Sequence, residues 1–305
     1  MNRPHILAGM ELIFLGTSSM VPTKERNHTS MLLNFGSEGI LFDCGEGTQR
    51  QLKMISIKPS RITKVLISHW HGDHVLGLPG LIQTLGASEY SGRLTVFGPR
   101  HTSERLKAMN RAFVFEDSID FDVRDIGQGR FFESDDFALE AALLDHGIEC
   151  LGYSFIEKDR LRINLKVTRS LGIPEGPLLG RLQSGHPIKW KGRLVGPEQA
   201  TYTVKGKKIS YIADTLPCDS AIALAKDADL LICEATYASS LEGKAREYKH
   251  MTARQAAFIA NQASAARLIL THFSQRYKNA LELEEDARAN FDNVSCAEDF
   301  MRVVL

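Results

Sequence analysis

Residues 67–81 read ISHWHGDHVLGLPGL, and no other stretch limits so sharply the folds open to this chain. His69, His71, Asp73 and His74 fall within six positions, directly after the apolar run KVLIS and directly before an apolar segment. Two histidines two apart at the end of a strand can face the same side, and Asp73 with His74 at the start of a helix present a second set. Imidazole with carboxylate suits Zn²⁺ or Mn²⁺, and a cysteine-free set argues for a catalytic site with open positions rather than a structural one. The alternative is a polar turn of helix caps and solvated groups. Nothing structural, however, needs four such side chains together. A strand end and the turn after it can therefore bring these side chains to one point.

The rest of the chain supplies strands in quantity. MELIFLG is an apolar run closing at Gly16, SMLLNF and GILFDCG read as a hairpin around Gly36–Gly39, and KVLIS is a further buried run. RLTVFG, SIDFDVRDI and FALEAALL continue the series. Helical patterns lie between some of them, in GEGTQRQLKMI, in the segment after Asp73 and in RHTSERLKAMNRAF. The C-terminal part alternates: strand KKISYIAD, helix CDSAIALAKDA, strand DLLICEAT, helix TARQAAFIANQAS, strand ARLILTHF. Strands early and βα units late predict an α/β fold of two packed sheets with helices outside, a four-layer αββα sandwich. A chain of 305 residues can bury such a core as one domain with an insertion.

The candidate insertion is visible as charge. Formal net charge is zero, which argues against a uniformly basic nucleic-acid binder. Yet residues 157–208 hold twelve basic and four acidic side chains, a surplus of eight that the remainder of the chain balances. This segment contains LGIPEGPLLGRLQSGHPIKWKGRLVGPEQ, dense in Gly and Pro, and is expected to leave the compact body as a basic arm over residues 157–195 of a single domain. By itself it could be a solvated loop. The five widely spaced cysteines form no CxxC pair and read as small buried apolar residues. No apolar run is long enough to span a bilayer, and the N-terminus lacks a secretory core, so a cytoplasmic protein without membrane contact is expected.

SHWHGDHVLGLPGL resembles the signature of the metallo-β-lactamase fold, whose members carry further ligands at later strand ends. His146 in LLDHGIECLGY, Asp214 in ISYIADT and His272 in LILTHFSQRY each follow an apolar strand. The resemblance implies that His69, His71 and His146 bind one metal, that Asp73, His74 and His272 bind the other, and that Asp214 bridges both. It implies two Zn²⁺ per subunit, with Mn²⁺ as the other fit, holding a bridging hydroxide. Asp43 in ILFDCGEGTQ matches an early aspartate, expected to hydrogen-bond a ligand imidazole and fix its tautomer.

Two metals alone leave the substrate open. Three features resemble the ribonuclease Z family, endonucleases that remove 3′ trailers from precursor tRNA. PTKERN matches the family's PxKxRN loop at Pro22, Lys24, Arg26 and Asn27, which there lies near the tRNA 3′ end. LGIPEGPLLGRLQSG matches its flexible arm, with the Gly-Pro motif at Gly176 and Pro177. EAT at Glu234–Thr236, KHMTARQAA with His250, and LTHFSQRY match its late motifs in order, and the likeness runs from about Met10 to the C-terminus. A projecting basic arm can hold duplex RNA through phosphates and shape without reading sequence.

The resemblance implies that Glu234 and His250 form a proton-donating pair, that Asp73 assists as base as well as ligand, and that the protein is a homodimer acting on precursor tRNA. The expected products are a tRNA 3′-hydroxyl and a trailer 5′-phosphate. Two other readings compete: a general phosphodiesterase of the same fold acting on small diesters, which needs no arm, and a non-catalytic RNA-binding module. The chain departs from the family at Cys233 (usually His), at Met251 (usually a small hydroxyl residue) and at Ala213 (usually Gly). None removes a ligand. Residues 1–9 precede the family's usual start and carry no assigned function.

Overall fold

A computed structural model describes residues 9–88, 90–114 and 119–305 of the chain. Residues 1–8, and Ser118 at the start of the expected strand SIDFDVRDI, lie outside the described residues. Two compact units are present. The larger comprises the chain up to Phe132, Leu139–Phe155 and Lys208–Leu305; the smaller comprises Glu133–Ala138 and Ile156–Lys207.

Eighteen strands are described: β1 Glu11–Gly16, β2 Ser30–Phe35, β3 Glu38–Phe42, β4 Lys64–Leu66, β5 Leu94–Gly98, β6 Phe121–Asp125, β7 Gly129–Glu133, β8 Phe137–Leu144, β9 Cys150–Glu157, β10 Arg160–Ile163, β11 Ile188–Trp190, β12 Arg193–Val195, β13 Thr201–Val204, β14 Lys208–Ile212, β15 Leu230–Glu234, β16 Leu268–Thr271, β17 Val294–Cys296 and β18 Arg302–Val304. One seven-stranded sheet has the order β18-β1-β2-β3-β4-β5-β6 and the other β17-β16-β15-β14-β9-β8-β7. In the first, β2 and β3 form the expected antiparallel hairpin, and β3 to β6 then run parallel. In the second, β14 to β17 are parallel. Parallel neighbours align their carboxyl ends on one edge, and that edge collects the functional side chains.

Side-chain alternation explains how the first sheet serves two layers. Ile13, Leu15, Leu32, Leu41, Val65 and Val96 pack with Leu52, Leu78, Leu81, Leu85 and Leu106 of the covering helices. The neighbouring positions turn the other way: the Phe42 ring meets Tyr153 and Tyr211 of the second sheet edge-on, with centroids 6.5 and 5.9 Å apart. Helices Asp219–Ala225 and Ala253–Gln262 pack against β14 and against β15 and β16 respectively. Both faces of each central strand are thus buried, which is why those strands read as continuous apolar runs. The four-layer αββα arrangement follows.

The smaller unit has internal order that its Gly and Pro content does not reveal. β10 pairs with β13 and β11 with β12. Helices Leu165–Ser170 and Pro177–Gln183 lie between them in sequence. Ile173, Leu182, Ile188, Val195 and Ala200 form a buried cluster of their own, with Ile163, Leu178, Leu179 and Trp190 packed on it. The apolar residues are interleaved with the basic ones, so composition hides a small core. Gly176 has φ 137°, a conformation open to glycine, and Pro177 opens the second helix at the position where its missing N–H costs nothing.

Candidate metal centre

Every side chain singled out as a ligand lies in the larger unit, in the segment just beyond a strand or on the short helix that follows one. His69 and His71 follow β4, Asp73 and His74 lie on the one-turn helix Gly72–Val75, His146 follows β8, Asp214 follows β14 and His272 follows β16. Asp43, after β3, and His272 have φ of 55° and 61°. Left-handed backbone is uncommon for such residues and recurs where a side chain must be aimed at a site. Gly45 is needed beside Asp43, because a Cβ there would stand 2.5 Å from the Asp73 carbonyl oxygen. Backbone is thereby pressed directly under the HxHxDH turn.

Two groups of ligand atoms converge. His69 Nε2 lies 3.0 Å from His71 Nδ1, and His146 Nε2 lies 3.3 Å from that same atom. Asp214 Oδ2 stands 3.6 Å from His69 Nε2. In the second group, His74 Nε2 lies 3.3 Å from His272 Nε2, and Asp73 Oδ2 is 3.4 and 3.3 Å from these two nitrogens. Asp214 also reaches this group, with Oδ2 3.6 Å from His74 Nε2 and Oδ1 3.3 Å from His272 Nε2. It stands between the groups, as a bridging carboxylate would.

The hydrogen-bond network sets which ring nitrogens carry lone pairs. His74 Nδ1 faces Asp43 Oδ2 at 2.8 Å and donates to it. The Asp43 carboxylate is fully buried and also accepts from Ser68 N at 2.7 Å, Ser68 Oγ at 2.8 Å and Tyr211 Oη at 2.9 Å. Thr236 Oγ1 donates to Glu234 Oε2 at 2.7 Å, so it accepts from His272 Nδ1 at 3.0 Å. His146 Nδ1 donates to the Lys249 carbonyl at 3.0 Å. His74, His272 and His146 therefore all turn unprotonated Nε2 atoms inward. Lone pairs facing each other at such distances repel unless a cation lies between them. Asp73 Oδ1 and Asp214 Oδ1 are buried without a hydrogen-bond donor among the described residues. The donor set fits a pair of divalent cations.

Electrostatics agrees at His69 and His71. Burial lowers the imidazolium tendency of His69 and His71, with neighbouring histidines adding to it, as neutral ligands require. At His74 burial would lower the imidazolium, but the carboxylates of Asp214, Asp73 and Asp43 raise it well above the ordinary range, the pull that a cation between these groups would satisfy in place of the proton. Burial alone would raise the Asp73 and Asp214 carboxyls, but the facing histidines outweigh it and hold both well below the usual carboxylate range. His250 is different. Burial would lower it, but the carboxylates of Glu234 and Asp214 carry it up to about 9. Its Nδ1 lies 3.0 Å from Glu234 Oε1, which also accepts from Thr215 N at 2.9 Å.

The PTKERN loop comes to the same edge. Ser19 N donates to Phe273 O at 3.1 Å and Phe273 N to Thr17 O at 2.9 Å, stitching the loop to the residue after His272. Arg26 donates to Tyr277 O at 2.7 Å and its guanidinium lies 5.2 Å from the Phe273 ring centroid. Asn27 Nδ2 donates to Glu46 O at 2.7 Å. Pro22 and Lys24 are exposed. Gly176 and Pro177 belong to the smaller unit. Cys233, Met251 and Ala213, where the chain departs from the family pattern, are all buried.

Ser68, Thr236 and Lys249 bond the ligand imidazoles and Tyr211 bonds Asp43, roles that the sequence did not assign to them. Ser68 and Thr236 adjoin marked residues and could have been found by proximity. Tyr211 sits inside an apolar run and Lys249 acts through its backbone, so neither left a signal. Cys150 is buried as expected, yet its Sγ lies 3.7 Å from His69 Nδ1.

Comparison with known proteins gives the same direction. Residues 10–161 match the family described as Anti-Pycsar protein Apyc1, and residues 182–273 match the beta-lactamase superfamily domain. Ribonuclease Z of Methanothermobacter thermautotrophicus is 42% identical over 295 residues, covering 96% of each chain, and that of Archaeoglobus fulgidus is 39% identical over 296 residues, covering 95% of this chain and 96% of its own. The crystal structure of the short form of human tRNase Z superposes with a TM-score of 0.72 at 29% identity, covering 96% of this chain and 98% of that one. With likeness at this level over nearly the full length, and with the metallo-β-lactamase sandwich beneath it, the chain belongs to the ribonuclease Z family.

Proposed function

We propose that this protein is a zinc-dependent endoribonuclease that removes the 3′ trailer from precursor tRNA. The observation that carries the reading is the convergence of seven ligand side chains from four strand ends, stitched through Phe273 to the PTKERN loop. His69, His71 and His146 would hold one ion, Asp73, His74 and His272 the other, and Asp214 both. When bound, the ions lower the pKa of a water and neutralise charge at the phosphorus. Mn²⁺ suits the same donors.

The chain's own residues do the rest. Cleavage breaks the P–O3′ bond and expels an alkoxide that needs a proton. His250, its Nδ1 held by Glu234, delivers that proton from Nε2 to O3′. The tRNA is left with a 3′-hydroxyl and the trailer with a 5′-phosphate. Asp73 orients the attacking water as well as binding metal. The Pro22–Asn27 loop meets the tRNA 3′ end, and the arm over residues 157–195, with Gly176 and Pro177 at its helix, holds the body of the tRNA through its phosphates. The working form is a homodimer in the cytoplasm. Among the described residues no helix is long and apolar enough to cross a membrane.

The test is incubation with precursor tRNA and Zn²⁺ or Mn²⁺, mapping both new ends. Trailer release with the stated termini is expected. Hydrolysis of a small diester without trailer release would instead mark a general phosphodiesterase.

A further inference from the structure

Asp299 lies between β17 and β18, and three segments far from it along the chain meet on its carboxylate. Oδ1 accepts from Thr17 Oγ1 at 2.8 Å, and Oδ2 accepts from Asn27 N at 2.8 Å and from Gln51 Nε2 at 3.0 Å. Thr17 and Asn27 are the two ends of the segment that contains PTKERN. Gln51 belongs to helix Thr48–Met54 and also donates to Leu15 O at 2.7 Å, which anchors the cluster to β1.

The turn that carries Asp299 is built with effort. Phe300 has φ 71°, a left-handed conformation that a bulky aromatic residue rarely adopts. Phe300 N donates to Phe14 O at 2.6 Å, Phe14 N donates to Met301 O at 3.0 Å, and Met301 N donates to Glu298 O at 3.0 Å. Together these tie the turn to β1 and aim Asp299 beneath the loop. Strain held in place by surrounding bonds is a reason to look for a role. The carboxyl is also kept in an unfavourable place, since burial pushes it up to about 6 in spite of the bonds from Asn27 and Thr17. A neutral amide would avoid that burial cost, but it has one acceptor oxygen where three donors need two.

We infer that Asp299 is the positioning residue of the substrate loop, holding Thr17 and Asn27 together so that residues 18–26 are presented beside His272 in one conformation. The inference rests on the reading above that this loop meets the tRNA 3′ end. Within the loop, Thr23 Oγ1 accepts from Arg26 N at 3.0 Å and Thr23 N donates to Arg26 O at 2.9 Å, so its tip is a closed turn. Pinning its base therefore orients the whole of it.

Asp299→Asn tests this, with Thr17→Val, which removes one bond only, as a second variant should the first fail to fold. Steady-state kinetics on precursor tRNA and on a small chromogenic phosphodiester are compared with limited trypsin digestion at Lys24 and Arg26. The expected result is a rise in KM for precursor tRNA on the order of tenfold, as for loss of a buried hydrogen bond to a charged group, with kcat and small-diester hydrolysis within about twofold. Cleavage at Lys24 and Arg26 should accelerate by a similar factor. Unchanged precursor kinetics, or equal loss on both substrates, would overturn the inference. If the unaltered enzyme releases no trailer, the tRNA reading falls, while the digestion alone still decides whether Asp299 holds the loop.

Discussion

At the scale of single residues, the candidate centre depends on His74, His146 and His272 each having one ring nitrogen committed elsewhere. Asp43 shows the principle. Its carboxylate takes four donors, and the bond to His74 Nδ1 leaves Nε2 free for metal. Replacing it by Asn is expected to weaken metal retention by about 10- to 100-fold, measured as metal content after dialysis against a graded chelator. His250 supplies a second prediction. Its imidazolium is favoured by Glu234 and Asp214 up to about 9, so the proton is present below that pH and lost as pH rises through it. Activity should fall on the alkaline side in that region. Glu234→Gln should move the limb down toward the ordinary imidazole range near ~6.5, read from a pH–rate profile. His250→Ala should lower kcat by roughly 10²- to 10⁴-fold with both metals retained. Equal metal loss in that variant would mean that His250 is a ligand and not the acid.

At the scale of elements, the loop and the arm carry substrate choice in the function proposed above, and they differ in how they are held. The loop is tied at both ends into the larger unit. The segment of the smaller unit that contains the arm has its two ends at neighbouring points: Lys205 Nζ lies 2.6 Å from Asp159 Oδ2, and Gly206 N donates to Asp159 Oδ1 at 3.0 Å. Replacing residues 160–204 by a short glycine-rich link should therefore leave the larger unit folded. Small-diester hydrolysis should stay within about threefold while precursor tRNA cleavage collapses, because lost phosphate contacts are lost affinity. Neutralising Lys189, Lys191 and Arg193 together should raise KM for precursor and flatten its dependence on salt. A salt response equal to that of the unaltered protein would show that those side chains touch no phosphate.

At the scale of the whole molecule, the site is a seam between two sheets that closes only when both have formed. Binding at such a seam is coupled to folding. Removing the ions should lower the melting temperature, and returning Zn²⁺ at a thousandfold over its dissociation constant should restore about 4 kcal/mol per site. Calorimetry with and without metal checks this; an unchanged melting temperature would mean that the donors hold no ion.

The sequence alone determined which side chains converge and most of the frame. HxHxDH after KVLIS, and the strand-closing His146, Asp214 and His272, were legible because each marks the end of a strongly apolar run, and the parallel strands betray themselves by burial on both faces. Short edge strands such as β17 and β18 and the helix Leu281–Arg288 were not legible, because they pair or pack with distant segments and carry weak local patterns. The core of the arm was hidden by its charge. Only the tertiary structure decided which nitrogen of each histidine faces inward, that Thr236 and Lys249 set it, and that Asp299 lies under a loop more than two hundred and fifty residues away. Those facts depend on contacts across the sandwich, and sequence spacing holds no record of them.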